Sequence, residues 1–402
     1  MFKNKLTLFT IAGFKIQADF SWLILAGLIT WTLATGLFPR NVPGTSTAIY
    51  WIMGFIGAVG IFGSIIFHEL SHSLVARRFG MEIEGITLWI FGGVAHMEEN
   101  PPSPRAEFAM AIAGPLSSFV LAGIFLGIRY LSGAGEWSPL FFGGQAGIDS
   151  PVQGVLWYLG RINLILGLFN LVPAFPLDGG RALRSGLWAG KKDIIWASKV
   201  ASFIGSGFAF LLIGAGVFFL FSGAFVGGIW WVLIGFFLHS ASRNAYQQLL
   251  ISRALSGVPI KKFMKKEVIT VPPNATVAAL VEDYIYTHHY KLFPVASDGN
   301  LEGCVTTQEV KNVDREDWDT TEVGSITHSC SEENSVTPET DAAKALSIMK
   351  RAGRGRLMVV KNGELIGIVT LKDLMQYLSM KLDLEPGRLQ SQDPDLPGGP
   401  EE

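Results

Sequence analysis

Six nearly continuous apolar runs, at 20–37, 49–75, 108–128, 155–172, 200–221 and 226–238, dominate the first 240 residues. Most approach the ~20 residues that a helix needs to cross a hydrocarbon core, and the shortest extends through the milder residues after it. The pattern therefore predicts six membrane-spanning helices. Ahead of them, the apolar stretch 6–14 is short, lacks a small-residue cleavage site and runs directly into a full span, so it reads as a strand or interfacial segment and not as a removed signal. Between the second and third runs the period changes. Ile83, Ile86, Leu88 and Ile90 alternate with other residues, and Gly92-Gly93 follow, which predicts a β-hairpin within 81–103 dipping toward the membrane. Irregular backbone at that depth is tolerated only where protein buries it or a wet cavity receives it.

After about residue 256 the pattern becomes that of a soluble α/β chain. Val268-Ile-Thr-Val-Pro, Phe293-Pro-Val and Gly303-Cys-Val-Thr306 are echoed by Ser335-Val-Thr-Pro, Leu357-Met-Val-Val and Gly367-Ile-Val-Thr370. An internal repeat of ~60 residues predicts two copies of one small unit. The segment from about residue 384 offers almost nothing apolar to pack and is expected to be disordered. The chain thus divides by composition into 1–256, 257–382 and 383–402.

Charged residues make up 16% of the chain, well below the ~25% usual in soluble proteins. Their placement sets an orientation. Lys3, Lys5 and Lys15 precede the first run; Arg77, Arg78 and Arg105 lie between the second and third; Arg181, Arg184, Lys191, Lys192 and Lys199 lie between the fourth and fifth; Arg243, Arg253, Lys261 and Lys262 follow the sixth. The opposite loops hold little beyond Arg40 and Arg129. By the positive-inside rule both termini are cytoplasmic, in the cell inner membrane, and six spans satisfy that parity. No nucleic-acid partner is expected. Cys304 and Cys330 both fall in the cytoplasmic part without ligand spacing, so neither a disulfide nor a cysteine metal site is expected.

The chemistry is concentrated in two motifs. His68-Glu69-Leu70-Ser71-His72 lies inside the second apolar run. On a helix the two histidines stand one turn apart on one face, where both imidazoles can bind a single zinc ion while Glu69 addresses a water molecule. A zinc hydrolase needs a third protein donor from elsewhere. Asn170-Leu-Val-Pro173-Ala-Phe-Pro176-Leu-Asp178-Gly-Gly-Arg181 offers Asp178 as a candidate, which closes another apolar segment just ahead of basic residues, as His72 does ahead of Arg77 and Arg78. Equal depth is what a shared metal requires. Pro173 and Pro176 break the helical pattern there, so a cavity open to the cytoplasm can bring water to the site.

These features resemble the site-2 proteases, which cut other proteins within the membrane. The resemblance rests on the HELSH motif at 68–72, on Asn170 with Pro176-Leu-Asp178-Gly-Gly, on Gly92-Gly93-Val94, and on Ala113-Gly114-Pro115. It covers roughly residues 1–250. It implies a polytopic α-helical membrane metalloprotease with His68, His72 and Asp178 as zinc ligands and Glu69 as catalytic base. Asn170 can offer a side-chain N–H to the oxyanion, a role the resemblance favours over a helix-capping or interhelical amide. The segment around Gly92, Gly93 and Val94 is the candidate edge for strand addition by an unwound substrate, the alternative being a tight turn that merely covers the site. Gly114-Pro115 reads equally as packing notch, kink or part of the site. His96 and His239 read as structural histidines.

The C-terminal repeat resembles a pair of cystathionine-β-synthase-type (CBS) modules, which commonly bind adenine nucleotides in the cleft between copies. That resemblance implies ATP or AMP as ligand, with Thr370 and Asp373 holding a ribose and Lys291 and Arg356, at corresponding places in the two copies, facing phosphates. In the first copy Glu309 stands where the family often has Asp. Self-association through this pair is a further expectation. The partners implied are the lipid bilayer and a substrate with one transmembrane segment, such as a membrane-tethered regulator or an anti-sigma factor. The competing reading is a nucleotide-gated transporter or zinc-binding regulator without proteolysis; against it, transport does not require Glu69 inside the His68/His72 pair, and the spans show no two-half symmetry.

Overall fold

A computed structural model of the chain describes residues 5–81, 83–89, 92–97, 101–133, 148, 150–297, 300–329 and 334–384. Of the segment expected to be disordered, only 383 and 384 are among them, at the end of a helix; the rest lies outside. Two compact units divide the chain at residues 246 and 247.

The first unit begins with β1 (Lys5–Ile11) and β2 (Phe14–Asp19), so the stretch read as strand or interfacial segment is a strand. Helix α1 (Ser21–Thr32) continues through a π-turn at Leu33–Leu37 into α2 (Phe38–Asn41). The long helices follow: α3 (Thr47–Arg78), α4 (Pro104–Leu131), α5 (Pro151–Asn170), α7 (Ile194–Phe221) and α8 (Phe225–Leu255), with the shorter, amphipathic α6 (Asp178–Lys191) between α5 and α7. Six helical stretches among the described residues, the first of them 21–41, are long and apolar enough to cross a membrane. Their starts are written in the sequence. Ser103 and Ser150 each accept a hydrogen bond from a first-turn N–H, with proline just inside the helix, and Asp193 accepts from the Ile195 and Trp196 N–H groups. Large apolar side chains such as Ile24, Phe203, Leu211 and Phe221 point outward, which is what a lipid solvent requires and water penalises.

The predicted hairpin is the antiparallel pair β3 (Ile83–Trp89) and β4 (Gly92–Met97). It belongs to a larger sheet, in the order β1-β2-β3-β4, because β3 also pairs in parallel with β2. Phe14, Ile16 and Ile86 of this sheet pack with Leu70 of α3 into a buried cluster. Arg77 donates to the Ala12 carbonyl at 2.8 Å, tying the end of α3 to the turn between β1 and β2.

The second unit is built around a five-stranded sheet in the order β5-β6-β9-β8-β7, where β5 is Leu292–Ser297, β6 Asn300–Thr306, β7 Ser335–Val336, β8 Arg356–Lys361 and β9 Glu364–Thr370. The repeat is visible in the register. Leu292 faces Thr306 as Arg356 faces Thr370, and each hairpin carries a bulge at the corresponding place, Val295/Ala296 and Val359/Val360. Each copy has its own core, one around Val277, Phe293 and Val305, the other around Leu346, Leu357 and Val369.

Candidate metal centre

His68 and His72 project from the same face of α3, ten residues or fewer from its basic end at Arg78, and both are buried. Asp178 opens α6, immediately after the broken segment that ends α5. The three residues, 106 and 110 positions apart in the chain, meet: Asp178 Oδ2 lies 3.1 Å from His68 Nε2 and 3.2 Å from His72 Nε2. One ligand atom from each residue lies within 4.8 Å of the others. Zinc bonds of ~2.0 Å in tetrahedral geometry place ligand atoms about 3.3 Å apart, so the donor set and its spacing fit that ion.

The remaining ring nitrogens orient the imidazoles. His72 Nδ1 is 2.6 Å from the Met110 carbonyl oxygen, which only accepts, so Nδ1 carries the proton and, in the neutral ring, Nε2 is left free to donate its lone pair to a metal ion. His68 Nδ1 meets Ser118 Oγ at 2.9 Å. Both partners belong to α4, as does Gly114, whose Cα lies so close to the two Nε2 atoms that a Cβ there would overlap them. Gly114 is therefore part of the site and not a remote notch. Glu69 is half-buried beside the pair.

Two segments hold α6 in place. Any side chain at Gly179 or Gly180 would strike the backbone of 171–175, so the loop folds tightly over the start of the helix. Behind it, Arg184 donates from Nε to Glu107 Oε1 of α4 at 2.6 Å and makes a second, shorter contact through Nη2.

Asn170 is the last residue of α5, and its Nδ2 donates to the Leu166 carbonyl at 3.0 Å. No described contact joins it to the three-donor cluster. Gly92, Gly93 and Val94 lie in β4 at the edge of the sheet, which gives them strand geometry in place of a tight turn. His239 packs its ring against Phe210 and is not one of the three clustered donors.

In the second unit Thr370 and Asp373 are joined: the Thr370 N–H and hydroxyl donate to Asp373 Oδ2 at 3.1 and 2.5 Å, and Lys265 Nζ reaches Asp373 Oδ1 at 3.1 Å. Partial burial works to raise the pKa of this carboxyl, but the Thr370 and Lys265 contacts outweigh it and hold the group below the usual carboxylate range. Glu309 repeats the arrangement on Thr306, so its extra methylene preserves the contact. Lys291 and Arg356 do not correspond, contrary to the expectation from the sequence repeat. The Thr307 and Leu371 N–H groups donate to Lys291 and Gly355 respectively, and the strand register matches Arg356 to Leu292. A one-residue offset in a strand reverses the face. Arg356 instead lies 3.8 Å over the Tyr290 ring.

Comparison with known proteins identifies the families of the two parts. Residues 56–214 match the model of peptidase family M50, and residues 260–316 and 323–380 match that of the CBS domain. The chain is 33% identical over 380 residues to the "Putative zinc metalloprotease Rip3" of Mycobacterium tuberculosis, covering 94% of each chain. The chain belongs to peptidase family M50. It is also 28% identical over 375 residues to the zinc metalloprotease MJ0392 of Methanocaldococcus jannaschii, covering 93% of this chain and 96% of that one. Among solved structures, the site-2 protease of the same organism matches 60% of this chain and 94% of its own at 31% identity, with a TM-score of 0.40. Membership of M50 makes the chain a zinc metalloprotease of the site-2 type, integral to the membrane and extended by a CBS pair.

Proposed function

We propose that this M50 protease hydrolyses peptide bonds in or next to the transmembrane segments of other membrane proteins, in regulated intramembrane proteolysis, with His68, His72 and Asp178 holding the zinc ion. The observation that carries this reading is the meeting of two Nε2 atoms on an apolar membrane-length helix with one carboxylate oxygen at the start of α6. His68 stands ten residues before Arg78, which at ~1.5 Å per residue is about 15 Å from the basic end of α3.

Zinc, when bound, polarises the scissile carbonyl and brings the pKa of a water molecule toward ~7. Glu69 takes the proton of the attacking water and returns it to the leaving amine, a task suited to a carboxylate beside the ligands that does not itself hold the metal. An amide carries two N–H groups; Leu166 takes one from Asn170, and the other is directed to the oxyanion in this reading. The β4 edge around Gly92, Gly93 and Val94 supplies backbone partners to the unwound substrate. Substrates are single-span proteins, such as a membrane-tethered regulator or an anti-sigma factor. Both termini face the cytoplasm from the inner membrane. Residues 257–382 form a sensor for ATP or AMP around Thr370, Asp373 and Arg356, and the site of self-association.

Glu69→Gln tests the chemistry. In detergent or liposomes it is expected to keep zinc and to lose at least ~10² in rate, the lower bound for removing a general base. Comparing membrane proteomes of cells carrying the wild-type and Glu69→Gln chains then identifies the substrate as the protein that accumulates uncut. Full proteolysis by the purified variant would overturn the assignment.

A further inference from the structure

We propose that Glu107 and Arg184 act as a buried clamp that fixes the distance from Asp178 to the two histidines, an assignment resting on the reading of His68, His72 and Asp178 as ligands. Three helices share the work of the site. Helix α3 carries both imidazoles, α4 orients them through Met110 and Ser118, and α6 carries Asp178. The sliding of α6 along α4 is thus the motion that spoils the site, and the clamp lies across it. Glu107 stands three residues before Met110, and Arg184 six residues after Asp178. At ~1.5 Å per residue these are spans of about 4.5 and 9 Å along rigid helices, so a displacement at the clamp reaches the donors almost undiminished. Ligand positions tolerate only about 0.5 Å of error.

The residue types match this task better than they match stability alone. Glu107 is 0% and Arg184 7% exposed, and Glu107 Oε2 has no hydrogen-bond partner among the described residues. Burying such a pair is often no better than packing apolar side chains in the same space. What an ion pair supplies here is direction. The guanidinium donates to Glu107 through Nε and Nη2, reaches Ser198 Oγ of α7 through Nη1 at 3.5 Å, and lies 5.0 Å over the ring of Phe175, in the loop that leads into Asp178. One planar group thereby touches α4, α7 and the approach to the ligand. A lysine ammonium, a point charge without the fork, does not reproduce these contacts.

The test uses the full-length protein in detergent and zinc alone, titrated in competition with a fluorescent chelator. His68→Ala is the control for the ligand reading: if it binds zinc as tightly as wild type, the ligand assignment falls and the clamp with it. Given a loss in that control, the paired variant Glu107→Leu/Arg184→Met removes both charges at similar volume. It is expected to unfold within a few degrees of wild type yet bind zinc at least tenfold more weakly, a split that a purely structural pair does not produce. Should the paired variant fail to fold or unfold much earlier, Arg184→Lys decides alone. Retaining the charge without the fork, it is expected to weaken zinc severalfold and to lower kcat more than it raises KM. Zinc affinity within twofold of wild type in the folded variants overturns the clamp.

Discussion

The imidazoles of His68 and His72 are held by what α4 does not carry as much as by what it does. Gly114 leaves the space in which both Nε2 atoms sit, and a methyl group there would overlap each of them. Gly114→Ala is therefore expected to displace the rings and lower zinc affinity at least tenfold, while Gly123→Ala, further along the same helix with open space at its Cα, is silent or slightly stabilising, since alanine favours a helix by ~1 kcal/mol over glycine. Metal analysis of the two purified variants checks this, and equal zinc content in both would remove Gly114 from the site. At this scale the donor cluster is legible where it resides in side chains with a fixed spacing, as with His68 and His72. Ser118 and the Met110 carbonyl are not, because a backbone acceptor has no residue signature and one serine among many carries none either. Lys265 carries no local signature either, since its contact with Asp373 spans more than 100 positions.

Among the elements, the turn between α5 and α6 is the one that presents Asp178. Its shape comes from close packing of backbone on backbone. Gly180 faces the main chain of 174 and 175, and Gly205 of α7 faces the Phe175 carbonyl from the other side. The atoms nearest a Cβ at Gly180 are main-chain atoms of Ala174 and Phe175, so a side chain there must push the loop or tilt the start of α6. Gly180→Ala is expected to cost ~1–3 kcal/mol, the range for overpacking a filled interior, and to lower zinc occupancy as Asp178 shifts. Gly186→Ala and Gly190→Ala, in the same helix with open space around them, leave both unchanged. Thermal unfolding and metal content of the three variants separate the effects; a destabilised Gly180→Ala protein with full zinc would mean that the loop packs without positioning the ligand. The sequence pattern anticipated the break at Pro173 and Pro176 and the antiparallel β3–β4 hairpin, since both are local. It did not anticipate that β2 pairs with β3 across more than 60 residues, nor the one-residue offset between Lys291 and Arg356. Long-range pairing and register depend on which faces are buried together, and period alone does not specify that.

At the scale of the whole chain, α8 is a single helix, Phe225–Leu255, that crosses the division between the two units without a break. Its last turn belongs to the CBS pair: Leu255 is part of the core around Leu346 and Leu357, and Lys381 donates to the Ala254 carbonyl at 3.0 Å. A nucleotide that favours one arrangement of the pair would act on this helix, and only its differential affinity for two states can shift them. On the full-length protein, calorimetry with ATP, AMP and ADP is expected to show binding that Asp373→Ala weakens at least tenfold. The pH dependence has a definite sign. Because the Asp373 carboxyl is held below its ordinary value, the group stays ionised from neutral pH down through the ~3.9 of an unperturbed Asp, and its contribution to stability is lost only as the pH falls further, through the folded value. The part of binding that Asp373 supplies, read as the ratio of wild-type to Asp373→Ala affinity, should accordingly be level between pH 8 and 5. Two glycines inserted after Tyr246 should then leave zinc and nucleotide binding intact but make proteolysis indifferent to nucleotide, since a helix interrupted by flexible residues no longer carries torque or translation. Absence of binding by all three nucleotides would leave the CBS pair without a sensing role, and a response that survives the insertion would locate the coupling outside α8.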